Sequence, residues 1–186
     1  SAELLKDLLD HNGHHAVIVS LDQYDYGLSG IIPNKVALND FQNHLGNLSE
    51  IEKRIKDIII GLPFEKKYDD ETIGLIKSKI QDLLSPEDLE RFAQGLKREW
   101  VLLNFDEPSI YVLPEAAEDI KTLSENGKIH EKSYSKLISE RIPNATILDG
   151  KDYDVILVEG IYAHDPSFVK DLEPLKVIKD FIDGNP

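Results

Sequence analysis

The chain has 186 residues, 41% of them hydrophobic, and its 21 Lys and Arg against 35 Asp and Glu give a formal charge of -14. That size supports one domain with a full core and room for a sub-domain. The acidic balance disfavours non-specific binding to nucleic acid or to an anionic membrane surface, and leaves open a local basic pocket for a phosphate. Cysteine is absent, which excludes a disulfide framework and thiolate metal sites and fits a reducing compartment. There is no signal-peptide pattern and no apolar run near about 18 residues, so a soluble, cytoplasmic protein is expected. Methionine is also absent and the chain opens on Ser1-Ala2, which predicts a processed chain or a fragment.

In chain order, Leu4, Leu5, Leu8 and Leu9 form an apolar stripe at helical spacing, and Asn12-Gly13 is a helix stop. Residues 16–21 (AVIVSL) are a short β-branched run, read as a strand. It ends at Asp22-Gln23-Tyr24-Asp25-Tyr26-Gly27, so acids and tyrosines gather at its carboxyl end. Residues 28–35 hold Gly30, Pro33 and Asn34 and read as a loop.

From 36 to 98 the pattern turns helical. Leu48, Ile51, Ile55, Ile58 and Ile59 mark one helix, with Ser49 and Glu52 as a capping box. Gly61-Leu62-Pro63 ends it, and Ile73, Ile76, Ile80, Leu83 and Leu84 mark the next. Ser85-Pro86-Glu87-Asp88 opens a third, with a cap, a proline in the first turn and two acids. These stripes are core-forming, and they predict a helical sub-domain inserted at 36–98 into an α/β framework at 1–35 and 99–186.

The apolar run Trp100 to Leu103 leads into Asn104-Phe105-Asp106-Glu107-Pro108. Pro114 opens another helix, which Asn126-Gly127 stops, and 128–150 is polar. Residues 154–163 read DVILVEGIYA. Four unbroken apolar residues predict a strand buried on both faces of a parallel sheet, with Glu159 and Gly160 at its carboxyl end. Asp165-Pro166 starts a short helix, and 175–182 reads as a final strand.

Ligands of open α/β sheets bind in the crevice beyond the carboxyl ends of the strands. Asp22, Asp106 and Glu159 each follow an apolar segment and are expected to converge at one such edge. Convergent acids can orient a hydroxyl, take its proton and hold Mg²⁺, which phosphoryl transfer requires. Tyr24, Tyr26 and Phe105 stand beside them and can stack a flat ring. The competing reading makes each acid a local cap or turn residue. His11, His14 and His15 fall at a helix-to-strand turn and read as solvated loop rather than metal ligands.

Several segments, in order, resemble the uridine kinase and phosphoribulokinase family of P-loop kinases. AVIVSLDQY resembles the family's Ser-x-Asp-x-Tyr strand end, and NFDEP its Asn-Phe-Asp-His-Pro motif. LPEAAEDIKTLSENGK resembles the helix that follows, and KSYSKLISERI the family's Tyr-to-Arg stretch. DYDVILVEGIYA resembles its Glu-Gly-Ile strand, and KDLEPLKV its Arg-Asp-Leu segment. The likeness covers 1–27 and 101–183. It implies a P-loop-kinase-like parallel sheet flanked by helices, ATP and Mg²⁺ as cofactors, and a nucleoside or sugar-like acceptor.

By position, the resemblance makes Asp22 the base for the acceptor hydroxyl. Tyr24 would lie against the nucleoside, Phe105 and Asp106 would contact base and ribose, and Tyr134 and Arg141 would line the acceptor pocket. Glu159 would hold Mg²⁺ or its waters. The phosphate-binding loop would stand just before residue 1, with Ser1 as its remnant, and a lid would follow residue 183. The chain departs from the pattern at Ser139, where the family has His, and at Glu107, where it has His before Pro. Such kinases are often oligomeric. A relative without catalysis, serving as a binding module, is the alternative.

Overall fold

The computed structural model describes residues 1–172; the strand expected at 175–182, the end of the KDLEPLKV segment and the lid expected after 183 lie outside them. The described chain is mixed α/β, with seven α-helices and three two-stranded sheets. It divides into two units. The first comprises Ser1–Tyr24, Tyr111–Ser133 and the chain from Pro143, and the second comprises Asp25–Ile110 and Tyr134–Ile142.

In the first unit, α1 (Ala2–His11) runs into the turn at Asn12-Gly13, where Gly13 takes φ +84°, and β1 (Ala16–Ser20) follows. β6 (Val155–Glu159) pairs with β1 in parallel, in register from Ala16 opposite Val155 to Ser20 opposite Glu159. Asp154 pins the start of the pair, accepting from the His15 N–H at 3.0 Å. Val155 to Val158 are half-buried rather than covered on both faces, and β6 has one strand neighbour among the described residues.

The helix α6 (Leu113–Ser124) carries Pro114 in its first turn and ends at Asn126-Gly127, as its sequence predicts. Its apolar face, Ala116, Ala117, Ile120 and Leu123, packs in one core with Val19, Leu21, Tyr24, Ile129 and Phe168. Burial of that apolar stripe is what fixes α6, since a helix this short is marginal alone. The polar stretch after it forms β2 (Lys128–His130), which pairs antiparallel with β5 (Ile147–Asp149). α7 (Pro166–Asp171) is capped by Asp165, whose carboxylate accepts from the backbone N–H of Ser167 and Phe168.

The second unit is a helical array. α2 (Leu28–Phe41), α3 (Leu48–Ile59), α4 (Asp70–Ile80) and α5 (Pro86–Val101) bury Leu28, Ile32, Val36, Ile51, Ile55, Ile59, Ile76 and Phe92 almost completely. A two-residue ribbon, β3 (Tyr134–Ser135) against β4 (Glu140–Arg141), completes it. Three sequence expectations are corrected here. Residues 28–35 are helical, not a loop: the buried spacing of Leu28, Ile31, Ile32 and Val36 outweighs Pro33, which sits inside α2. Ser49 does not cap α3, which begins at Leu48 after a left-handed Asn47, and Glu52 instead accepts from the Asn34 side chain. The apolar run read at Trp100 to Leu103 is not a strand edge: Trp100 and Val101 close α5, and Asp106 lies in the turn beyond it. The cap read at Ser85 is present, its hydroxyl accepting from the Asp88 N–H at 3.1 Å.

No helix of the described residues is long and apolar enough to cross a membrane.

Candidate functional site

In the first unit the parallel register brings β1 and β6 to an end side by side. Glu159 is the last residue of β6, and Asp22 lies two residues past its partner Ser20, in a short 3₁₀ turn from Leu21 to Tyr24. Asp22 is half-buried and Glu159 exposed, so each carboxylate is within reach of water. Glu159, being exposed, bears little desolvation cost. Gly160, next after Glu159, takes φ +136°, and a Cβ there would stand 2.7 Å from the Leu21 Cβ. Only glycine lets β6 turn away this close to the β1 side of the edge.

A groove of about 670 Å³ opens against these strands. Ser20, Gln23, Tyr24 and Glu159 line it from the carboxyl ends, and Glu3 and Lys6 line it from α1. Because α1 precedes β1 through a tight turn, the first turn of the helix returns to the edge where the strands finish. Ser1 is the exposed N-cap residue of α1 and makes no side-chain cap bond. Helix N-termini attract anions, while Glu3 in the first turn opposes that attraction.

Tyr24 is 2% exposed and belongs to the core, with its ring edge at the groove. Its hydroxyl donates to Asp119 Oδ2 at 2.9 Å. Lys132, which also lines the groove, reaches Glu115 at 3.1 Å and Asp119 at 3.2 Å. Burial works to lower the Lys132 ammonium, and the two carboxylates together outweigh it and raise it. Lys132 therefore stays charged, its ammonium paired with both carboxylates at the groove wall. Sequence reasoning missed Lys132, Asp119 and Gln23. The alternation Lys128-Ile129-His130 was the one signal that this polar stretch holds a strand against the core.

The remaining candidates belong to the second unit. Tyr134 and Arg141 face each other across the β3–β4 ribbon, and Arg141 Nε donates to the Asp25 carbonyl at 2.7 Å. Asp106 is exposed and its backbone N–H donates to Asn104 Oδ1 at 3.0 Å, a turn of the kind an Asn favours. Phe105 is 39% exposed and packs 6.1 Å, centroid to centroid, from Phe64. The structure thus brings Asp22, Tyr24 and Glu159 to one strand edge, and Tyr134 to Arg141, while Phe105 and Asp106 occupy the turn after α5.

Among the described residues, no group of three or more His, Asp or Glu side chains is arranged to hold a metal ion. A magnesium ion commonly takes only one or two protein carboxylates and fills its shell with water and phosphate oxygens. Asp22 and Glu159 are the two carboxylates at this edge that could meet that smaller demand. Comparison with family models, with characterised proteins and with solved structures returned no match to this chain.

Proposed function

We propose that the chain is part of a small-molecule kinase that transfers the γ-phosphoryl group of ATP to a hydroxyl of a nucleoside or related metabolite. The observation that carries this reading is the parallel β1–β6 edge, where Glu159 lines a groove shared with α1 and Lys132 and Asp22 lies in the turn just past Ser20. In this reading Asp22 would accept the hydroxyl proton, and Glu159 with Asp22 would hold Mg²⁺, which neutralises phosphate charge when bound. Lys132, held by Glu115 and Asp119, would have to exchange one of these partners to meet an anionic group. Phe105, Asp106, Tyr134 and Arg141 keep the acceptor-binding roles that the resemblance implies. A cytoplasmic setting, where ATP is supplied, goes with this reading, and so does a homo-oligomeric state.

The exposed Glu159 and the absence of a larger acidic cluster among the described residues favour one alternative, a relative that binds ligand without turnover. One experiment separates the two. Labelled phosphate is followed from ATP·Mg to a nucleoside panel, while the melting temperature is recorded with the same ligands. Transfer supports the kinase. A melting shift without transfer supports the binding module, because a ligand that binds only the native state must stabilise it. No shift and no transfer sinks both.

A further inference from the structure

The second unit carries a cluster of packed aromatic rings beside a hollow that the phosphotransfer reading does not use as a unit. Phe64 follows Pro63 in a short 3₁₀ turn, and Trp100 lies in the last turn of α5. Their rings tilt at 48° with centroids 4.8 Å apart, and Phe105 closes on Phe64 at 41° and 6.1 Å. Tyr68, which is buried, backs Trp100 at 5.4 Å and holds the indole in place. Phe64 remains 45% exposed and Phe105 39% exposed, an unusual amount of ring surface to leave in water. Together with Leu103 and Glu65 they line a hollow of about 420 Å³.

The lining of the hollow carries a single formal charge, a negative one. Glu65 is the only ionisable side chain in the lining, and its neighbour Lys66 is turned to Asp69 at 3.0 Å. Aromatic faces carry partial negative charge and attract cations, most strongly at Trp. A chain with formal charge -14 adds a long-range field of the same sense. A neutral flat ring would gain stacking area here but nothing from the carboxylate. We propose that Phe64, Trp100, Phe105 and Glu65 form a binding site for an organic cation of the quaternary ammonium or alkylated amine class. It shares Phe105 with the phosphotransfer reading but invokes neither Asp22 nor Glu159, so loss of transfer in Asp22→Asn leaves it untouched.

Trp100 is the single tryptophan of the chain, so its emission reads the site without a label. The test is a fluorescence titration of the full chain with choline and tetramethylammonium at constant ionic strength. The neutral carbon isostere of choline and adenosine are titrated alongside. Saturable change with both cations is expected, and the isostere should bind about tenfold more weakly. Glu65→Gln should weaken choline about threefold and Phe105→Ala about tenfold, with far-UV circular dichroism unchanged. Both side chains are exposed, so these variants should fold. Equal binding by the isostere, adenosine binding with choline silent, no saturable change, or full affinity in both variants would each overturn the proposal.

Discussion

The carboxylate of Glu140 accepts two hydrogen bonds from Ser29, one from its backbone N–H and one from its hydroxyl, both at 2.7 Å. Ser29 is in the first turn of α2, so a side chain from the β3–β4 ribbon serves as the N-terminal cap of a helix 111 residues earlier in the chain. Glu140 is 1% exposed. Between them runs Gly27, at φ +77°, where a Cβ would lie 2.5 Å from Glu140 Oε2. Replacing Glu140 by Ala strands a buried N–H and a buried hydroxyl and leaves a void. We predict a loss of about 3–5 kcal/mol in urea unfolding. A loss below about 1 kcal/mol would show that the cap contributes little.

The same contact predicts a pH dependence. Burial raises the Glu140 carboxyl above its ordinary 4.5, against the Ser29 hydrogen bonds and the nearby Lys56 and Lys67 ammonium groups, which lower it. The native state therefore holds the proton to higher pH than the unfolded chain. Between 4.5 and the raised native value the folded form binds more protons, and stability falls as pH rises through that window. Glu140→Gln does not titrate. The stability of wild type relative to Glu140→Gln should decline across that window and level off above it. A difference that stays flat, or that rises with pH, would contradict the assignment.

For phosphoryl transfer, Asp22→Asn removes the proposed proton acceptor while keeping its shape. The rate should fall about 10²–10⁴-fold with the melting temperature little changed. Glu159→Gln should instead raise the Mg²⁺ concentration needed for half-maximal rate. Equal activity of wild type and Asp22→Asn would remove Asp22 from the mechanism.

Gly160→Ala is predicted to damage the strand edge without touching a candidate carboxylate directly. The alanine would be strained at φ +136° and its Cβ would press on Leu21. A cost of about 1–3 kcal/mol is expected, together with weaker ligand binding in the groove. Thermal unfolding and ligand titration of the variant test both parts. Full stability would mean that the turn relaxes freely.

In the second unit, Phe92 is fully buried on α5 and lies 6.3 Å, ring to ring, from Phe41 on α2. Phe92→Ala should cost about 3–5 kcal/mol. A value under about 1 kcal/mol would show that the helices close around the void.

How much of this was legible before the coordinates depends on where the information resides. Caps and stops act within one turn of chain, and those at Asn12-Gly13, Ser85, Pro114 and Asp165 are where the sequence puts them. The two parallel strands were legible for a similar reason, since β-branched runs declare themselves locally. Residues 28–35 misled because Gly30 and Pro33 are local breakers, while the burial that makes them helical is tertiary. The capping box at Ser49 and Glu52 failed because Glu52 found Asn34, 18 residues away, a better partner. Glu140 had no sequence signal at all. Its role is set by Ser29, and nothing in ERI foretells that meeting. The edge holding Asp22 and Glu159 was anticipated, but Lys132 and Asp119 depend on how α6 and β2 pack.

The pairing of β1 with β6 has a consequence for synthesis. His15 and its bonding partner Asp154 are separated by 139 residues, so the apolar strand at 16–20 leaves the ribosome long before its neighbour is made. At ordinary translation speeds that interval lasts roughly seven to thirty seconds. The helices of 28–101 meanwhile have everything they need to collapse except the ribbon that brings Glu140. The nascent chain thus carries a waiting strand, and holdase chaperones would find their target there.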